Sequence, residues 1–228
     1  MARSGFTTSD YLSVASTLLG DEPIDMLAYG RSTSAANNQK AIVLGDGGGP
    51  SGFWGLAWRG DVASDPIRAE KNNDGGSGLV SAASSAGYST NVWHVGWASF
   101  ISNTSRAAGI DGGNKGTNTT SRTNPTPNFM SIGILKHSGA AAPFEGDLAE
   151  CYLLDYNLSD EQHAARGKGY SALWDVPVKN VRGWYPLLRD DNNRMAGGYP
   201  DLTPTGSPTF SSHPPKVIHP RIGALITV

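Results

Sequence analysis

Three carboxylates stand close together in Glu145-Gly146-Asp147-Leu148-Ala149-Glu150. Carboxyl pairs can cleave glycosidic bonds: in a retaining enzyme one attacks and the other moves the proton, about 5 Å apart. On an extended strand, residues two apart share a face, so Glu145 and Asp147 would stand together. Glu150 would fall on the opposite face unless a bulge shifts the register. Register therefore argues against a catalytic set, and no catalytic residue is assigned; the expectation is a protein that binds or builds rather than catalyses.

A second candidate is the stripe Trp54, Leu56, Trp58. Aromatic rings stack on sugars, but a stripe at period two is first expected to be core. The polar turn Asn72-Asn73-Asp74 would complete a sugar site if the rings were exposed. Trp93 and Trp97 are assigned to the core, because Val95 and Ile101 share their face. The five histidines (His94, His137, His163, His213, His219) show no metal-ligand spacing such as H-x-x-x-H. Cys151 has no suggested base partner and reads as a small hydrophobe. No glycine motif precedes a helix in the manner of a phosphate loop.

Elements of period two must position these residues. Ile24–Tyr29, Lys40–Leu44, Phe53–Arg59, Val92–Ile101, Met130–Ile134 and Leu148–Leu154 alternate or run apolar. Turn-rich linkers separate them, as expected from 29 Gly and 14 Pro. Leu158–Arg166 is the one convincing helix: Ser159 and Gln162 have capping-box spacing, and Asp160 and Glu161 suit the positive end of its dipole. Six Trp, eight Tyr and six Phe supply a core. The expected fold is all-β, a jelly-roll sandwich of two antiparallel sheets, with one short helix and an extended C-terminal tail. Residues 1–177 would form the sandwich, and 178–228 a last strand and a Pro-rich arm. With net charge −2 and no basic run, no nucleic-acid partner is expected. No membrane-spanning stretch or signal peptide is read, which places folding in a reducing cytoplasm.

Three stretches resemble the laminin-G-like, concanavalin-A-like sandwich family. They are Trp93-His94-Val95, the hairpin Gly109-Ile110-Asp111-Gly112, and Phe144–Glu150 followed by Tyr152, Tyr156-Asn157 and Leu158-Ser159-Asp160-Glu161. The resemblance covers roughly residues 6–175 and implies the jelly roll. It departs where Ala107-Ala108-Gly109-Ile110 lacks the family's aromatic before Asp-Gly. Oxygen-rich loops of lectin-like relatives bind calcium, which makes Asp46 and Asp111 candidate ligands, with Asn72, Asn73 and Asp74 beside them. Calcium needs six to eight converging oxygens, and solvated turn residues are the more ordinary reading; no other cofactor is expected. The carboxylate spacing is also that of the catalytic motif of laminarinase-type β-glucanases, which share this jelly roll, so a glycoside hydrolase is a further alternative.

The tail resembles those on such domains in tailed-phage structural proteins. Its uncharged end is a strand in search of cover, and Ile218, Ile222, Leu225, Ile226 and Val228 are read as an assembly arm. The main expectation is therefore a virion structural module, a capsid decoration or other surface component. Its partners would be other virion proteins such as the major capsid protein, and copies of itself. The alternative is a carbohydrate-binding adhesion module whose partners are host surface glycans.

Overall fold

The structure, a computed structural model, describes residues 2–15, 19–46, 52–75, 78–136, 140–188, 190–195, 198–212 and 214. The strands begin with β1 (Ala2–Ser4), β2 (Tyr11–Ala15), β3 (Ile24–Ser32), β4 (Asn38–Gly45), β5 (Phe53–Arg59), β6 (Pro66–Asn72) and β7 (Val80–Gly87). Next come β8 (His94–Ser102), β9 (Ser105–Ile110), β10 (Gly113–Asn118), β11 (Phe129–Ile132), β12 (Leu135–Lys136) and β13 (Ala140–Ala141). The chain continues through β14 (Gly146–Leu154), the helix α1 (Asp160–Gly167), β15 (Val181–Tyr185), β16 (Thr203–Thr205) and β17 (Thr209–Ser211).

Two antiparallel sheets form a jelly-roll sandwich, as the alternation of apolar residues predicts. One sheet runs β10-β9-β8-β3-β14-β1-β17, with β15 also paired to β14. The other runs β16-β2-β11-β4-β5-β6-β7. The core between them takes Met26 and Ala28 from β3, Ala98 and Phe100 from β8, and Trp54, Leu56 and Trp58 from β5. Both Trp54 and Trp58 are 0% exposed. The sugar platform that a solvent-facing stripe would make is thus corrected: with no face open to water, neither ring can stack on a ligand.

Trp58 fits because the opposite sheet has no side chain where its indole lies. A Cβ on Gly30 would sit 2.8 Å from the ring, and one on Gly96 only 2.5 Å from it. Phe144 closes the third side edge-on, with centroids 5.3 Å apart. Gly96→Ala is accordingly expected to cost about 1–3 kcal/mol through overpacking. The check is a lower denaturation midpoint at unchanged slope; an unshifted midpoint would mean that the indole moves aside freely.

Apolar groups on both faces of β8 give it two cores. Gly96, Ala98 and Phe100 face the inter-sheet core, while Trp97 joins Leu27, Tyr152, Leu154 and Leu158 in a second cluster on the outer face of the eight-stranded sheet. The helix α1 covers that cluster. Its capping box forms as predicted: the Gln162 backbone N–H donates to Ser159 Oγ at 3.3 Å, and the Ser159 N–H to Gln162 Oε1 at 2.9 Å. The helix docks through His163, stacked on Trp97 with ring centroids 3.7 Å apart. Of the other residues read as sharing the Trp97 face, Ile101 is exposed and Trp93 only half-buried.

As far as Ser211, the tail belongs to this sandwich rather than to a free arm. Strand β16 pairs with β2 and β17 with β1, so one short segment borders both sheets. Bonds from Arg3 to Asp191 and to the Pro208 carbonyl tie it down. Ile218, Ile222, Leu225, Ile226 and Val228 lie outside the described residues.

Candidate functional site

The outer face of the eight-stranded sheet is read in rows across its strands. In one row Asp147 on β14 opposes Arg31 on β3, and Trp93 stands just before β8. Arg31 Nε donates to Asp147 Oδ2 at 2.7 Å, and its guanidinium lies 5.5 Å from the Trp93 ring centroid. In the next row Ala149, Tyr29 and Val95 are cross-strand neighbours and pack together. The Val95 N–H donates to Asp111 Oδ1 at 2.9 Å, which sets the carboxylate at the end of that row.

The β9–β10 hairpin and the helix end build a wall over these rows. Asp111 and Gly112 take positive φ of 53° and 73°, the tight Asp-Gly turn that the sequence predicts. The turn packs directly on the helix terminus. A Cβ on Gly112 would lie 2.9 Å from the Gly167 N, and one on Gly167 would lie 2.1 Å from the Asp111 O. Two glycines therefore let hairpin and helix touch by their backbones. Tyr29 braces the helix from below, its hydroxyl donating to the Arg166 carbonyl at 3.3 Å. Burial, with Glu150 adding to it, pushes this phenol well above its ordinary range, so Tyr29 stays protonated.

Between this wall and Trp93 lies a cleft of about 240 Å³. Tyr29 and Val95 form its floor, Trp93 and Asp111 two sides, and Gly167, Lys168 and Gly169 the far side. The Asp111 side chain is 47% exposed, although its Oδ2 also bonds His94 Nδ1 at 2.8 Å. Lys168, the helix C-cap, is exposed. The arrangement is an apolar floor with a ring wall, an acceptor and a cation at the rim. A ring, an acceptor and a cation around one small hollow offer a ligand one apolar face and two polar contacts.

The three carboxylates of the 145–150 segment do not meet in this cleft. Strand β14 bulges between Ala149 and Tyr152, with Glu150 at φ 49°. The bulge turns Glu150 toward the outer face, so register alone does not separate it from Asp147, contrary to the expectation from alternation. Partners do. Glu150 is 0% exposed and accepts from the Tyr152 hydroxyl and Trp184 Nε1, both at 2.9 Å. Asp147 is held by Arg31 and by the Ser211 hydroxyl. Glu145 precedes the strand and accepts from Asn37 Nδ2.

The polar residues proposed as sugar or calcium ligands are also engaged: Asp46 and the 72–74 turn neighbour one another at one end of the seven-stranded sheet, and Asp111 stands apart from them on the other sheet. Asn72 ends β6, and Asp74 accepts from the backbone N–H and hydroxyl of Thr126 at 3.0 and 2.8 Å. Asn73, between them, is half-buried. Asp46 follows β4 in the seven-stranded sheet and accepts from Asn128, whereas Asp111 belongs to the other sheet. Among the described residues, no three His, Cys, Asp or Glu side chains are grouped to hold a metal ion. The sequence reading missed Tyr29, Trp93 and Lys168 as site residues. The available signal was Trp93 itself, placed just after the exposed turn residues Asn91 and Val92.

No protein-family model matches the sequence. No curated protein matches it either. Solved structures do match in shape. The carbohydrate-binding module CBM40 of a Ruminococcus gnavus IT-sialidase, bound to α2,3-sialyllactose, superposes with TM-score 0.59 at 14% identity, over 73% of this chain and 98% of that one. A heptameric SAP-like pentraxin from Limulus polyphemus gives 0.56 at 10% identity, over 73% and 80%. Domains LG4-5 of the mouse laminin α1 chain give 0.49 at 18% identity, over 67% and 40%. At these identities the first two likenesses speak for the jelly-roll fold alone.

Proposed function

We propose that this chain is a non-catalytic carbohydrate-binding sandwich whose site is the cleft beside Trp93. The observation that carries this reading is Trp93 itself. It is half-buried at the rim of a 240 Å³ cleft, immediately before β8, with Asp111 and Lys168 also lining that cleft. Sugars need an aromatic face for their C–H side and a few fixed polar groups for their hydroxyls, and both are present here. A sugar-bound module has the same fold, which supports the reading. Binding rather than turnover fits because none of Glu145, Asp147 and Glu150 lines the cleft. No particular feature of the described residues favours the virion module, and the residues of its arm lie outside them.

The test is a glycan array probed with the wild-type chain and with Trp93→Ala. Wild type is expected to bind at least one glycan class, and Trp93→Ala to weaken that binding at least tenfold while melting at nearly the same temperature. An array with no signal, or a Trp93→Ala variant that binds as wild type does, would sink the reading.

A further inference from the structure

Just beyond the cleft-lining Gly169 in the chain are two partly exposed aromatic rings. Tyr170 is 38% and Trp174 49% exposed. Their ring centroids lie 5.9 Å apart, with the planes nearly perpendicular at 89°. Gly169 lines the cleft and is bonded to Tyr170, so the pair begins about 3.8 Å along the chain from the cleft wall. We propose that Tyr170 and Trp174 form a second sugar-stacking subsite continuous with the cleft, so that the ligand is a chain of at least two linked sugars. This rests on the cleft being a sugar site.

Three features separate this pair from stray surface hydrophobics. First, the loop that carries it is held rigid. Arg166, buried at 2% exposure, donates to the Ser171 carbonyl at 2.5 Å and to both Asp175 carboxylate oxygens at 2.7 and 2.6 Å. Gln162 Nε2 adds a bond to the Asp175 carbonyl at 3.1 Å, and the Tyr170 N–H one to the Ala165 carbonyl at 3.1 Å. A loop whose backbone is held before binding loses little entropy when a ligand docks on it.

Second, the size fits a sugar. The two rings together expose roughly 200 Å², whereas a stable protein partner covers about 800 Å² per side. Third, the acid beside the rings is paired, Asp175 with Arg166, which leaves Lys168 at the cleft rim as the nearest charge along the chain for a ligand that spans both places.

The experiment is titration calorimetry with cello-, laminari- and chito-oligosaccharide ladders of one to six sugars, together with lactose and the two sialyllactoses. In whichever series binds, the wild-type affinity is expected to rise at least tenfold from the monosaccharide to the di- or trisaccharide. Trp174→Ala should bring that ratio close to one, and Trp174→Phe should restore most of it; melting curves confirm that each variant is folded. A ratio unchanged in Trp174→Ala, or a flat wild-type ladder, overturns the second subsite while leaving the cleft standing. No binding to any probe overturns both. Loss on Trp174→Ala with none on Trp93→Ala moves the site to the aromatic pair and refutes the cleft.

Discussion

Trp58→Ala is expected to lower the free energy of unfolding by about 3–5 kcal/mol, the range for emptying a large buried aromatic site. The indole is fully enclosed and occupies the space that Gly30 and Gly96 leave on the facing sheet. Those backbones belong to hydrogen-bonded central strands and cannot collapse into the hole. Phe144 also loses the ring against which its edge packs. A domain of this kind has roughly 5–15 kcal/mol to lose, so the variant would be partly unfolded at elevated temperature. Denaturant titration reads the effect, and a loss below about 1 kcal/mol would contradict this packing. Any fall in sugar binding by this variant should track its unfolded fraction, whereas Trp93→Ala should bind poorly while fully folded. The two tryptophans thus separate stability from recognition.

Glu70→Gln should cost a similar amount, about 3–5 kcal/mol, because it strands buried cations. Glu70 is 0% exposed and takes Lys40 on one oxygen and Arg59 on the other. Lys40 retains only Asn38 Oδ1 at 2.6 Å, whereas Arg59 retains Asp61. Burial alone would push the Glu70 carboxyl up, but Lys40 and Arg59 more than offset that and hold it below its ordinary value. Its stabilisation is therefore complete above the unfolded-state value near ~4.3 and is lost as pH falls through the lower folded value. Lys40 has the opposite history: burial lowers its ammonium, and Glu70 only partly restores it. A lysine whose folded value is depressed gains stability as pH rises toward the unfolded value near ~10.4. Without Glu70 that depression deepens. The unfolding midpoint of Glu70→Gln should consequently recover more than that of wild type as pH is raised from neutral toward the unfolded-state lysine value. Adding Lys40→Met should restore part of the loss at pH 7. A variant with wild-type stability at pH 7 would show that the cluster is solvated.

The strands were legible because alternation reports burial. Trp54, Leu56 and Trp58 have the period of a half-buried strand, and β5 is where the pattern puts it. The helix was legible from Ser159 and Gln162, whose capping bonds depend on spacing alone. Less legible was which face meets what. Strand β8 is apolar on both sides, and only its pairing between β3 and β9 decides that Phe100 enters the sandwich while Trp97 goes under the helix. The bulge at Glu150 inverts a register argument through one positive φ, for which a glutamate gives no warning. Strands β16 and β17 have the sequences TPT and TFS, too short and polar to show a period. The cleft was hidden for a related reason. Tyr29, Trp93 and Gly167–Gly169 come from three separate stretches, and only the contact between hairpin and helix unites them.

The pairing of β1 with β17 also decides how this edge answers a pull. Ala2 lies opposite Ser211 and Ser4 opposite Thr209, so outward tension on residues 2 and 211 arrives at the same end of the ladder. In that geometry the bonds carry the load one after another, as in a zipper, and not all together as they would in shear. The first strand to peel would be β17, which takes the Ser211 hydroxyl away from Asp147 and so loosens the partner of Arg31 beside Trp93. A tether fastened on this side of the molecule would meet a mechanically soft edge one residue row away from the cleft floor.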